Sequence, residues 1–184
     1  MNEMDVIAAL MRERYAKSFC LHRYTPDKWW ECDVMEITKS GLWREYEIKL
    51  SKADFLLDAK KTRLVLPHRY GTPQLTENKH DELAKEGSRG PSQFWYVVPA
   101  GMIEPEDVPA WAGLIVIWQN FKIDDETGLP TSVLANKRLT ESERKKAPYR
   151  HREKVSDGFR SQAAGTCYWR MHRLIQEDAK KPGQ

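Results

Sequence analysis

Two carboxylates and an amine stand at a spacing in this chain that could do chemistry: Asp33, Glu47 and Lys49. The stretch Tyr46-Glu47-Ile48-Lys49-Leu50 reads as a strand. Side chains alternate along a strand, so Tyr46, Ile48 and Leu50 share an apolar face while Glu47 and Lys49 share the other. Asp33 joins them through the turn. With Lys39-Ser40-Gly41 as a three-residue hairpin loop, Gly41 takes the position that favours positive φ, Thr38 faces Leu42, and Asp33 falls opposite Glu47. A two-residue loop, Ser40-Gly41, would instead set Asp33 against Ile48 and on the wrong face. The turn chemistry favours the first register.

Clustered carboxylates repel each other and lose hydration when a site closes, and a cation offsets both costs. Lys49 supplies one positive charge, and a divalent metal would supply more. Mg²⁺ takes one or two protein carboxylates, keeps several waters and accepts phosphate oxygens. A neighbouring lysine can position the attacking water or help take its proton. Such a set suits metal-assisted phosphodiester hydrolysis. The plainer alternative is a solvated Glu-x-Lys face with a weak ion pair, worth about 0–1 kcal/mol.

The elements that must position these residues follow from the pattern of the chain. Asn2 caps a first helix with Asp5 three residues on, and Met4, Ile7, Met11 and Tyr15 form a stripe at helical spacing. "SFCLHRY", "WWECDVMEI" and "LWREYEIKL" read as strands. "SKADFLLDAKKTRL" reads as a helix starting near Ser51 or Asp54, and a second helical segment lies around "TENKHDELAKEG". "QFWYVVPAGMI" and "AGLIVIWQNF" are buried strands joined by the turn "PEDVPAW". "DGFRSQAAGTCYWRMHRLIQED" closes the chain as a helix in which Phe159, Ala163, Cys167, Met171 and Leu174 can share a face. A strand meander followed by a crossover to further strands implies an α/β fold with a mixed sheet flanked by helices.

Composition narrows the function. The 184 residues are 40% hydrophobic and 31% charged, which suits one globular domain. No stretch approaches the roughly 20 apolar residues of a membrane helix, and "MNEMDVIAALMRERY" does not read as a secretory signal. Cys20, Cys32 and Cys167 are scattered, with no CxxC, which fits a reducing compartment. Net charge is +3 with a pI near 8.7, permitting a nucleic-acid partner without requiring one. The positive charge gathers in "KRLTESERKKAPYRHREK", from Lys137 to Lys154.

Taken together, "ECDVMEI…GLWREYEIKLSKADFLLDAKK" resembles the PD-(D/E)XK nuclease superfamily, and within it the small bacterial and phage proteins described as DNA-repair endonucleases. "FWYVVPAGMIEPEDVPAWAGLIVI" is similar to the fourth and fifth strands of that group, and the likeness runs from about residue 5 to 120. It implies a restriction-endonuclease-like αβββαβ core over 1–125. Beyond the likeness, the residue pattern reads as a basic connecting segment at 126–156 and a helix at 157–178 packing on the core of a single domain. The likeness implies further that Asp33 and Glu47 ligate Mg²⁺ or Mn²⁺, that the Ile48 carbonyl completes the protein ligands, and that Lys49 orients or activates the water. The function implied is a Mg²⁺/Mn²⁺-dependent deoxyribonuclease of DNA repair, recombination or phage DNA processing. Its place would be the cytoplasm, at the nucleoid or in a phage host, and cutting both strands would favour a homodimer. Many members add an acid from the first helix, for which Glu3 and Glu13 are the candidates here.

Cations near the motif would hold the DNA backbone, since phosphate contacts dominate affinity: Lys52, Lys60, Lys61, Lys79, His80, Lys145 and Lys146. Glu45 shares the face of Glu47 and is a spare acid. Trp29, Trp30 and Trp43 either stack on an unpaired base or pack at the sheet margin. A serine or cysteine nucleophile has no supporting motif. The competing function is a nucleic-acid-binding module that keeps the nuclease fold without turnover, against which the full Asp33, Glu47, Lys49 set argues. A protein-interaction scaffold would bind neither metal nor DNA.

Overall fold

The computed structural model describes residues 1–65, 75–87, 89–119 and 139–180. Helix α1 spans Glu3–Tyr15 and starts as its sequence dictates: the Asn2 side chain accepts from the Asp5 N–H, and the Asp5 carboxylate accepts from the Asn2 N–H. Its buried face is Val6, Ile7, Ala9 and Leu10; of the expected stripe Ile7 is buried and Met11 partly buried, whereas Met4 and Tyr15 are not. Met4 and Tyr15 sit at the helix ends and stay exposed, while the compact β-branched and leucine side chains between them meet the sheet.

Strands β1 (Phe19–Tyr24), β2 (Cys32–Ile37) and β3 (Trp43–Ile48) form an antiparallel meander. From β3 the chain crosses over through helix α2 (Lys52–Asp58), the small ladder of β4 (Thr62–Val65) with β5 (Leu75–Asn78), and helix α3 (Lys79–Ala84). It re-enters the sheet as β6 (Gln93–Pro99), parallel to β3, and then β7 (Ala112–Gln119), parallel to β6. Strand β8 (Leu139–Lys145) closes the far edge antiparallel to β7, and helix α4 (Asp157–Ala179) follows. The six-stranded sheet has the order β1-β2-β3-β6-β7-β8. The fold is therefore α/β, with a mixed sheet flanked by helices.

Each sheet face has its own core. Val6, Ile7 and Leu10 of α1 cover Val34, Tyr46, Ile48, Val97 and Ile117. On the other face Met35, Trp43, Phe94, Tyr96 and Leu114 lie with Phe55 of α2, Leu83 of α3 and Ala163 of α4. Central β6 carries "FWYVV" because both of its faces are buried, the usual state of a parallel strand.

Four local expectations need correction. Helix α2 stops at Asp58, and the β-branched "TRLV" that follows pairs as strand β4. The helix expected around "TENKHDELAKEG" begins only at Lys79, capped by the Asn78 side chain, with Leu75–Asn78 drawn into a strand. The basic stretch expected to connect, 126–156, contains β8: "LTESERK" has little apolar alternation and is held at the edge by backbone pairing to β7. Its Lys137 and Arg138 lie outside the described residues. In α4 the expected apolar face is buried only at Ala163, and Cys167, Met171 and Leu174 are exposed.

Candidate active site

The β2–β3 turn sets the site. The Thr38 N–H donates to the Leu42 carbonyl at 2.9 Å, the Gly41 N–H donates to Thr38, and Gly41 has φ +88°. Val34 pairs with Tyr46 and Met35 with Glu45, so the same register continued by one step sets Asp33 opposite Glu47. The Asp33 Oδ2 accepts from the Ile48 N–H at 2.7 Å, tying the start of one strand to the end of the other.

Glu47 lies at the centre of a buried ionic cluster. Its Oε1 accepts from Lys49 Nζ at 3.1 Å and Lys61 Nζ at 2.9 Å, and its Oε2 from Lys79 Nζ at 2.6 Å. Lys79 Nζ is also 2.7 Å from Glu45 Oε1, and both side chains are wholly buried. The other oxygen of Glu45 accepts from the Trp29 indole N–H. Lys49 Nζ lies 2.8 Å from Asp58 Oδ1, at the last residue of α2. Asp58 Oδ2, the Tyr96 hydroxyl and His80 Nε2 form a triangle with sides of 2.7, 2.8 and 2.9 Å.

Burial and neighbouring charge move these groups in different directions. Burial would raise the carboxyl of Glu47, but the ammoniums of Lys79, Lys61 and Lys49 together hold it below its usual range. Burial would likewise raise Asp58, yet the hydrogen bond from His80 and the charge of Lys49 hold it low. Burial works against the Lys49 ammonium, but Glu47 and Asp58 keep it more firmly protonated than a free lysine. Asp33 goes the other way, pushed up to about 7 by burial and then by the adjacent charge of Glu47, with the Ile48 N–H and two lysines compensating in part.

The carboxylate oxygens of Asp33 and Glu47 are hard donors of the kind that a divalent ion takes. Among the described residues no three His, Cys, Asp or Glu side chains converge to hold a metal. Asp33, Glu47 and the Ile48 carbonyl would be its protein ligands, with water and phosphate oxygens supplying the rest, as is usual for Mg²⁺. Of the three ammoniums on Glu47, Lys61 has a side chain 33% exposed against 8% for Lys49 and 0% for Lys79, so it is the one that can yield to an ion.

The other expected residues are distributed as follows. Lys79, expected to meet DNA, has no surface to offer, because its ammonium is spent on Glu45 and Glu47. Lys145 is likewise engaged, donating to the carbonyls of Val108 and Pro109. His80 is turned to Asp58 and Tyr96. Lys52, Lys60 and Lys146 are exposed. Lys146 borders a cavity of about 430 Å³ lined by Arg14, Glu36, Tyr46 and Trp95 of the α1-covered face, away from Glu47. Of the two acids on α1, Glu3 is held by Arg23, which is within electrostatic range of Asp33, while Glu13 borders that distant cavity. Trp29, Trp30 and Trp43 are buried in edge-to-face contact, so they pack the sheet margin and expose no stacking surface.

The sequence left Asp58 and Tyr96 out of the site, and of the two Tyr96 carried a signal, since Asp58 reads as a surface charge within the longer expected helix. A tyrosine in the centre of an apolar parallel strand needs a partner for its hydroxyl.

No family model matches the chain, and no curated protein matches it. Among solved structures, a protein of unknown function from Silicibacter pomeroyi is similar at a TM-score of 0.56 and 16% identity, over 100% of this chain and 97% of that one. At that identity the likeness is one of fold alone.

Proposed function

We propose that this chain is a metal-dependent DNA endonuclease with a restriction-endonuclease-like core. The observation that carries the proposal is the placing of Asp33 opposite Glu47 with Lys49 one strand position on, at the end of β3 where it runs beside parallel β6. The order of α1, the β1–β2–β3 meander, α2 and, after the β4–β5 ladder and α3, parallel β6 supports an αβββαβ core. Asp33, Glu47 and the Ile48 carbonyl would hold Mg²⁺ or Mn²⁺, which when bound supplies positive charge against the phosphate oxygens and a more acidic water. Lys49, held charged by two carboxylates, stabilises negative charge growing on the phosphate and orients the attacking water rather than taking its proton. Lys52, at the start of α2, and Lys60, in the turn that follows the helix, are exposed and take backbone phosphates.

One observation favours a binding module without turnover: both oxygens of Glu47 already have ammonium partners, so the cluster is balanced without an ion. Calorimetric titration of Mg²⁺ and Mn²⁺ into the wild type and Asp33→Asn, beside DNA binding followed by anisotropy, separates the two. Ion binding that depends on Asp33 is the expected result. Tight DNA binding with no ion binding at all would favour the binding module.

A further inference from the structure

We propose that Asp58 is a positioning residue that fixes the Lys49 ammonium against Glu47 for hydrolysis; this rests on the nuclease function proposed above. Asp58 ends α2, where the helix dipole disfavours an anion, and its side chain is fully buried. Packing alone would select an apolar residue there. Its two oxygens are instead divided between tasks: Oδ1 lies 2.8 Å from Lys49 Nζ, while Oδ2 is fixed by the Tyr96 hydroxyl and His80. The carboxylate is thus held from β6 and α3 and turned toward the end of β3.

The geometry of Lys49 shows why such a holder matters. The lysine lies one residue beyond β3 on a long flexible stem, and besides Glu47 and Asp58 it has a third acidic neighbour, Asp54, at 3.8 Å and 55% exposed. Asp58 holds the ammonium inward beside Glu47, whereas Asp54 would draw it toward solvent. Removing the charge of Asp58 leaves Lys49 shared between Glu47 and that outward partner. Asp58 meets Glu47 through Lys49 and through its own charge, so its loss displaces the lysine while the hydrogen bonds of Glu47 to Lys61 and Lys79, and of Asp33 to the Ile48 N–H, hold the metal ligands in place.

The test uses the full-length chain with Asp58→Asn, which keeps the shape, and Tyr96→Phe, which removes one donor from Asp58. Three readouts are taken: kcat and KM on DNA, Mg²⁺ affinity by calorimetry without DNA, and the ¹⁵Nζ signal of Lys49 by NMR. In Asp58→Asn, kcat is expected to fall about 10- to 100-fold, as misplacing a reacting group by about an ångström does. KM and Mg²⁺ affinity stay within about twofold, and the slowly exchanging Lys49 ammonium signal is lost. Tyr96→Phe follows with a smaller loss of kcat, and it carries the decision if Asp58→Asn does not fold. An unchanged kcat in a folded variant, an unchanged Lys49 signal, or a loss of Mg²⁺ affinity in step with kcat would overturn the proposal. If the wild type cleaves no DNA, the nuclease function fails by itself, and the NMR signal still decides whether Asp58 holds Lys49.

Discussion

Asp33 lies between opposed influences: the Ile48 N–H, Lys61 and Lys49 favour its charge, and Glu47 opposes it. Its carboxyl sits near 7 in the folded protein against 3.8 unfolded, because burial and then Glu47 disfavour the anion. Below about pH 4 both states are protonated and the folded protein carries no penalty. The penalty grows as pH rises through the interval between the two values and is complete above about 7. Asp33→Asn should therefore raise Tm at pH 8 and leave it nearly unchanged at pH 4, by differential scanning fluorimetry in EDTA; equal Tm shifts at both pH values would contradict this. The same proton competes with a divalent ion, so wild-type Mg²⁺ affinity should weaken as pH falls below 7. Lys61 competes for Glu47 too, and its side chain is partly exposed. Removing a like charge at about 4 Å in water is worth about 1 kcal/mol, so Lys61→Ala should bind Mg²⁺ about fivefold more tightly by calorimetry. Weaker binding would instead make Lys61 a support of the ion site.

Among the elements, α3 is short but anchors the site through Lys79 at its first residue. Lys79 neutralises two buried carboxylates from β3, Glu45 and Glu47. Lys79→Met would leave both without that partner in a buried site. It should cost about 3–5 kcal/mol in urea unfolding, as breaking a buried ion pair on one side does. A loss under 1 kcal/mol would mean that Glu45 simply takes up a proton, the direction in which burial already pushes it. The β2–β3 hairpin has a comparable fixed point in Gly41, whose φ of +88° lies where L side chains are strained, and an added methyl would also displace the Arg160 guanidinium, 2.5 Å away. Gly41→Ala should destabilise by about 1 kcal/mol and weaken Mg²⁺ binding, since the turn sets Asp33 against Glu47. This hairpin was legible in the sequence because turn length and strand alternation together allow few registers. The β4–β5 ladder was not, because "KKTRLV" and "LTEN" carry helical and strand signals of similar strength and pairing between them decided the outcome.

For the molecule as a whole, what the sequence showed best was whatever depends on local periodicity: the α1 cap, the meander, the buried strands β6 and β7, and the Asp33, Glu47, Lys49 face. What it showed poorly depends on partners distant along the chain. Lys79 and Asp58 look like surface charges in sequence, and only the crossover from β3 to β6 brings them under the sheet and onto Glu47 and Lys49. Strand β8 has so few apolar residues that only the open edge of β7 explains it. The crossover also gives the site its cost, since it gathers the carboxylates of Asp33, Glu45, Glu47 and Asp58 around the ammoniums of Lys49, Lys61 and Lys79 in a mostly buried space. Such a charge cluster stabilises a fold poorly compared with apolar packing, and chemistry is the reason proposed for it here. The direct test is to incubate the wild type, Asp33→Ala and Lys49→Ala with supercoiled plasmid, linear duplex and single-stranded DNA, each with Mg²⁺, Mn²⁺ or EDTA. Cleavage by the wild type that requires the metal and disappears in both variants is the expected result. Cleavage that persists in EDTA or in either variant, or its absence on every DNA form, would contradict hydrolysis at this site.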